Sequence, residues 1–109
     1  MNDTLTIAPE ITAATNHNQP VVALESSVIA HGLPSPTNVE TALAMEDAVR
    51  SAGAAPATIG VIEGTVRVGL TKGEIESLGK GNAAKLGARD LPYAIAKKID
   101  GGTTVSATI

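Results

Sequence analysis

Val21-Val22-Ala23-Leu24-Glu25-Ser26-Ser27-Val28-Ile29-Ala30-His31-Gly32-Leu33-Pro34 is the stretch on which the reading of this chain turns. Val21 to Leu24 form a short aliphatic run, read as a buried strand, that ends on a carboxylate. Small polar residues, a histidine and a glycine follow, as expected of a loop. In α/β proteins, ligands and chemistry collect at the carboxyl ends of parallel strands, because loops and helix starts converge there. Glu25 is therefore the first candidate for chemistry.

Working outward, Ser35 reads as a helix N-cap with Pro36 at the first helical position. Val39, Ala42, Leu43 and Val49 then recur on one helical face up to about Ala52, and Gly53 suits the left-handed stop. Ala57 to Ile62 reads as a second strand and Thr65 to Leu70 as a third, joined by a tight turn at Glu63-Gly64. Thr71-Lys72-Gly73-Glu74 is a capping box opening a short helix with Ile75 and Leu78 turned inward. Gly79 to Gly87 reads as a loop. Asp90 reads as the cap of a further helix stopped by Gly101-Gly102, and the final seven residues suit either a strand or a helix. Met1 to Gln19 reads as a leading arm, with Pro9-Glu10 opening a short helix, so the domain is expected over residues 20–109. The order β-α-β-β-α-α is an α/β pattern whose sheet has not closed.

Composition narrows the classes. The 109 residues are 43% hydrophobic and 17% charged, with a formal net charge of −3. No basic excess favours a nucleic-acid partner or an anionic membrane surface. The absence of cysteine excludes disulfides and thiolate zinc sites and fits a reducing compartment, so a cytoplasmic protein is expected. No signal peptide is expected at the N-terminus, and no run is long enough to span a membrane. Tyr93 is the single aromatic residue, which leaves the core to Ala, Val, Ile and Leu.

Each candidate group carries two readings. Glu25 is either a solvated strand-end carboxylate or, flanked by Leu24 and Val28, a partly desolvated general acid. Lys85 is either an ordinary surface lysine or a cation gripping phosphate from a glycine-bearing loop. His31 reads as a loop histidine bonded to backbone. With only His17 as a second histidine, no His-based metal site is expected.

Together, several colinear blocks resemble the pseudouridine-5′-phosphate glycosidase family. They are residues 20–27 and 29–34, Ala48 to Ile62, Val68 to Thr71, Lys85 with Arg89-Asp90-Leu91-Pro92, and Gly102 to Val105. The resemblance implies the N-terminal part of a three-layer α/β/α, indigoidine synthase A-like fold that assembles as a homotrimer. It implies reversible conversion of pseudouridine 5′-phosphate and water to uracil and ribose 5-phosphate. The broken bond is carbon–carbon, so an electron sink on the sugar is needed; the resemblance implies that the ribose opens and joins a lysine as an imine to supply it. The resemblance makes Glu25 the proton donor, with Lys85 and Val105 binding substrate. The same family pattern implies Mn2+ held through an aspartate. That aspartate and the imine-forming lysine fall beyond residue 109, so no metal ligand is expected within this chain. Lys97 and Lys98 do not match the lysine's motif. A truncated chain is expected to be unstable and inactive alone. The alternative is a non-catalytic remnant that binds sugar phosphate or docks on a full-length homologue. An unrelated small α/β enzyme using Glu25 alone is a third possibility, opposed by the colinear blocks.

Overall fold

The computed structural model describes residues 4–109. Its six strands are β1 (Leu5–Ile7), β2 (Val21–Leu24), β3 (Ala55–Ile62), β4 (Thr65–Val68), β5 (Ala84–Leu86) and β6 (Gly101–Thr103). Five α-helices accompany them: α1 (Pro9–Asn16), α2 (Thr37–Ser51), α3 (Lys72–Leu78), α4 (Leu91–Lys97) and α5 (Val105–Thr108). A π-helical turn spans Val28–Gly32 and a 3-10 turn spans Ala88–Asp90.

β3 is the axis of the fold. Its eight residues are aliphatic or small and almost wholly buried. Its second half pairs antiparallel with β4, Ile59 opposite Val68, through the tight turn at Glu63-Gly64. Both turn residues have positive φ, 49° and 76°, which matches the twist a two-residue hairpin requires. β1 adds parallel to β4, and β6 lies on the other side of β3, antiparallel, with β5 parallel beyond it. β2 pairs parallel with the first half of β3, Val21 opposite Ala55. The sheet is mixed.

Period-two alternation along β3 sorts the layers. Ala55 and Ala57 meet Ile11 and Ala14 of α1, and Val61 meets Leu86 and Ala94 of α4. On the opposite face, Ile62 packs with Leu70, Ile75, Leu78, Ala42 and Ile29 beneath α2, α3 and the π-turn. Helices therefore cover both faces of one sheet, giving the expected three-layer α/β/α arrangement.

Several elements depart from the sequence reading. Residues 5–16, inside the expected arm, form β1, which has no counterpart in the sequence reading, and α1, the short helix expected from Pro9; Ala8 N donates to Val68 O at 2.9 Å, so this stretch is stitched to the sheet. Met1, Asn2 and Asp3 of that arm lie outside the described residues. β2 is an edge strand rather than a buried one, with Val21 38% and Val22 39% exposed. α2 starts at Thr37 with Pro36 at the cap position and no side-chain cap, so Ser35 does not play that part. Asn38 Nδ2 instead ties the first turn to Ile29 O and Gly79 O, both at 3.0 Å. β5 interrupts the expected loop at 79–87. α4 ends at Lys97, Lys98 after it turns left-handed at φ 55°, and Gly101-Gly102 are strand residues rather than a helix stop. The capping box stands as read: Thr71 Oγ1 accepts from Glu74 N at 3.1 Å, and Glu74 Oε1 accepts from Thr71 N at 2.9 Å.

α2 also buries a charge. Glu46 is 6% exposed and accepts a hydrogen bond from Thr58 Oγ1 at 2.5 Å, while Arg50 lies 3.7 Å from its other oxygen. Thr58→Val keeps the side-chain shape but removes this donor from a buried carboxylate. It should cost about 1–3 kcal/mol, read as a lower urea midpoint at unchanged slope. Gly73 tests the opposite direction. It lies in the first turn of α3 with only Thr71 Oγ1, at 3.9 Å, near the position a Cβ would take. Gly73→Ala should stabilise by about 0.5–1 kcal/mol, seen as a raised melting temperature; a fall would contradict the helix assignment.

Candidate functional site

The site forms where two strands run towards each other along one edge of β3. β2 runs with β3 and β6 against it, so their carboxyl ends converge. They meet at the Ile59 carbonyl, which accepts from Ser26 Oγ at 2.5 Å and from Thr103 Oγ1 at 2.7 Å. Ser26 N donates to Thr103 O at 2.9 Å, and Thr103 N donates back to Ser26 Oγ at 2.8 Å. Both residues are fully buried. Neither strand continues past this knot, and side-chain hydroxyls satisfy the backbone groups that a strand would have paired.

Glu25 immediately precedes the knot and is half-buried. Its Oε2 accepts from the backbone N of Ser27 at 2.9 Å and also from Ser27 Oγ. Val105 follows the knot on the β6 side and opens α5. Glu25, Val105, Ala23, Leu24, Met45 and Thr108 line a cavity of about 290 Å³ that Ile109 also borders. The walls are mainly apolar, and Glu25 is their one ionisable side chain. A site of this shape pairs van der Waals contact along a flat, uncharged group with one acid or base.

Lys85 lies apart from this cavity. It is exposed on β5, opposite Gly102 of β6 in register, so it faces the side of the sheet that carries the π-turn. A Cβ on Gly102 would lie 2.9 Å from Ala30 Cβ, which places that turn directly over the strand. His31 Nε2 lies 2.8 Å from Ala83 O and fastens the end of the turn to the approach to β5, consistent with its reading as a backbone-bonded loop histidine. Glu25 and Val105 are thus brought together, and Lys85 stands one strand away from Gly102. Sequence reading missed Met45, Thr108 and the Ser26–Thr103 knot. The Ser-Ser and Thr-Thr pairs were visible, yet nothing in their spacing says that they meet.

No group of three or more His, Cys, Asp or Glu residues suited to a metal ion occurs among the described residues. The resemblance puts the metal's aspartate outside these residues, and no chemistry is derived through the metal. No helix is long and apolar enough to cross a membrane among the described residues.

Helices on both faces of a mixed sheet, with a lone carboxylate in an apolar cleft at converging strand ends, define an α/β protein with a candidate small-molecule site. The family model described as Indigoidine synthase A like protein matches residues 10–109, and the chain belongs to that family. It is 53% identical to a pseudouridine-5′-phosphate glycosidase of Rhodospirillum centenum over 109 residues, 100% of this chain and 34% of the relative. A protein of the same name from Escherichia coli K12 is 48% identical over 107 residues, 96% of this chain and 34% of its own length. Among solved structures, the prealnumycin C-glycosynthase AlnA in complex with ribulose 5-phosphate superposes with a TM-score of 0.83 at 42% identity, covering 99% of this chain and 35% of that one. An indigoidine synthase A-like protein of Thermotoga maritima also gives a TM-score of 0.83, at 31% identity, covering 96% of this chain and 34% of that one. The chain spans about one third of the length of these relatives.

Proposed function

We propose that residues 1–109 are the amino-terminal part of a pseudouridine-5′-phosphate glycosidase, which cleaves the C–C bond of pseudouridine 5′-phosphate to uracil and ribose 5-phosphate, reversibly. The observation that carries this reading is the cavity that gathers Glu25 and Val105, far apart in sequence, onto one apolar cleft. The names of the relatives support the substrate class.

In this reading Glu25 delivers the proton to the departing ring carbon. A carbon leaving group has no lone pair to protonate beforehand, so the acid must be held against the ring as the bond breaks. The backbone at Val105 and the apolar wall seat the base, and Lys85 binds substrate from the neighbouring strand. The imine-forming lysine and the aspartate for Mn2+ belong to the part of the family pattern outside these 109 residues. A homotrimer in the cytoplasm completes the proposal.

The test joins this chain to the remaining two thirds of the Rhodospirillum centenum relative and measures uracil release from pseudouridine 5′-phosphate. The joined protein should release uracil and the 109-residue chain alone should not. A second reading, a non-catalytic sugar-phosphate binder, is favoured by the ribulose 5-phosphate named with the C-glycosynthase. Binding of ribose 5-phosphate to the 109-residue chain, with no uracil release from the joined protein, would select it.

A further inference from the structure

We infer that Ser27 is a positioning residue that fixes the Glu25 carboxylate in its working orientation. The inference rests on the reading of Glu25 as proton donor and adds a residue to which no role has been given.

The two serines after Glu25 face opposite tasks. Ser26 is fully buried, and its hydroxyl is used up between Ile59 O and Thr103 N. It locks the main chain. Ser27 is half-buried, and both its backbone N and its hydroxyl donate to one oxygen of Glu25, Oε2. No other hydrogen bond to Glu25 occurs among the described residues, and Oε1 is the oxygen left without one.

Two donors on one carboxylate oxygen, from the residue that directly follows the pinned Ser26, select a single rotamer of a side chain that otherwise turns freely. A glutamate has three rotatable bonds, and freezing them in advance removes an entropic cost from the proton-transfer step. The bonds are charge-assisted while Glu25 is ionised, which makes them the strong kind. Apart from Thr108, whose hydroxyl donates to Thr104 O, the side chains that share the cavity with Glu25 are apolar, so nothing else there holds the carboxylate still.

The arrangement also divides the labour between the oxygens. Oε2 is held by protein, and Oε1 remains to exchange a proton with the ring. A residue that merely capped the turn would need only the backbone N–H of Ser27, which any amino acid supplies. The added hydroxyl contact is what points to a positioning role.

The experiment uses the joined protein and the variants Ser27→Ala, Ser27→Thr and Glu25→Gln. Ser27→Ala should lower kcat for uracil release about 10- to 100-fold, the effect of losing one hydrogen bond to a charged group, with KM within about twofold since Ser27 does not line the cavity. Ser27→Thr, which keeps the hydroxyl, should recover most of the rate. An unchanged kcat in Ser27→Ala, or equal loss in the alanine and threonine variants, overturns the positioning role. Glu25→Gln retaining full activity would instead overturn the underlying reading of Glu25, so the two failures are distinguishable. A second measurement needs no turnover: three-bond NMR couplings along the Glu25 side chain in the joined protein. One rotamer in the wild type and averaging in Ser27→Ala supports the role; averaging in both overturns it.

Discussion

Gly102→Val should be among the most destabilising single substitutions in this chain, lowering the unfolding free energy of the joined protein by about 3 kcal/mol or more. A Cβ at this position would lie 2.5 Å from the Ser26 carbonyl oxygen, 3.0 Å from its carbon and 2.9 Å from Ala30 Cβ. The first two obstacles are main chain and cannot rotate away. Relief requires β6 and the Ser26 segment to separate, which breaks the hydrogen bonds that Ser26 and Thr103 share at Ile59. Because that knot places both Glu25 and Val105, activity should fall with stability. Gly53→Ala is the comparison. Gly53 has φ +90°, but nothing lies within 4 Å of its missing Cβ, so only backbone strain of about 1 kcal/mol is expected. Urea denaturation of the two variants decides the matter. A Gly102→Val protein no less stable than Gly53→Ala would mean that β6 and the chain after β2 are not packed this closely.

Gly102 also shows where sequence reading reached its limit. A Gly-Gly pair after a helical pattern is an ordinary stop signal, and nothing local distinguishes it from a strand that is glycine because a neighbouring carbonyl needs the room. Only the Ser26 approach, set by a segment far away in the chain, explains Gly102. The other missed strands share this cause. β1, β5 and β6 have three residues each, too few for a period-two pattern to register, and their identity comes from partners rather than from propensity. Glu46 is a related case. A charged residue breaks the apolar stripe of α2, and its burial makes sense once Thr58 and Arg50 are seen to satisfy it. By contrast, β3, the Glu63-Gly64 turn and the Thr71–Glu74 capping box are written in contiguous residues, and all three were legible. Glu25 was legible for the same reason, as the polar residue ending a strand. Its surroundings were legible only in part: the family resemblance named Val105, but Met45 and Thr108 complete the cavity without any local signal, and Thr108 reaches it through the β6 strand that the glycine pair concealed.

Glu25→Gln should reduce uracil release by the joined protein about 10²- to 10⁴-fold, the usual worth of a positioned general acid or base. The amide is nearly isosteric, and the cavity is mainly apolar, so substrate should still bind and KM should change little. Only the exchangeable proton is lost. Ser27 sharpens the expectation, since its N–H and O–H both donate to Oε2 and the side-chain oxygen of glutamine can accept both. The amide nitrogen then falls where Oε1 stood, facing the ring with hydrogens it cannot give up. Glu25→Gln should therefore leave the rotamer and the fold intact while removing the chemistry, the reverse of Ser27→Ala, which leaves the chemistry and loosens the rotamer. Glu25→Asp separates reach from acidity: it keeps the proton but withdraws it by one methylene, so it should be slower than wild type and faster than Glu25→Gln. Steady-state rates for the three proteins settle the order. A glutamine variant as fast as the aspartate one would remove Glu25 from proton transfer and leave it a structural role at the end of β2.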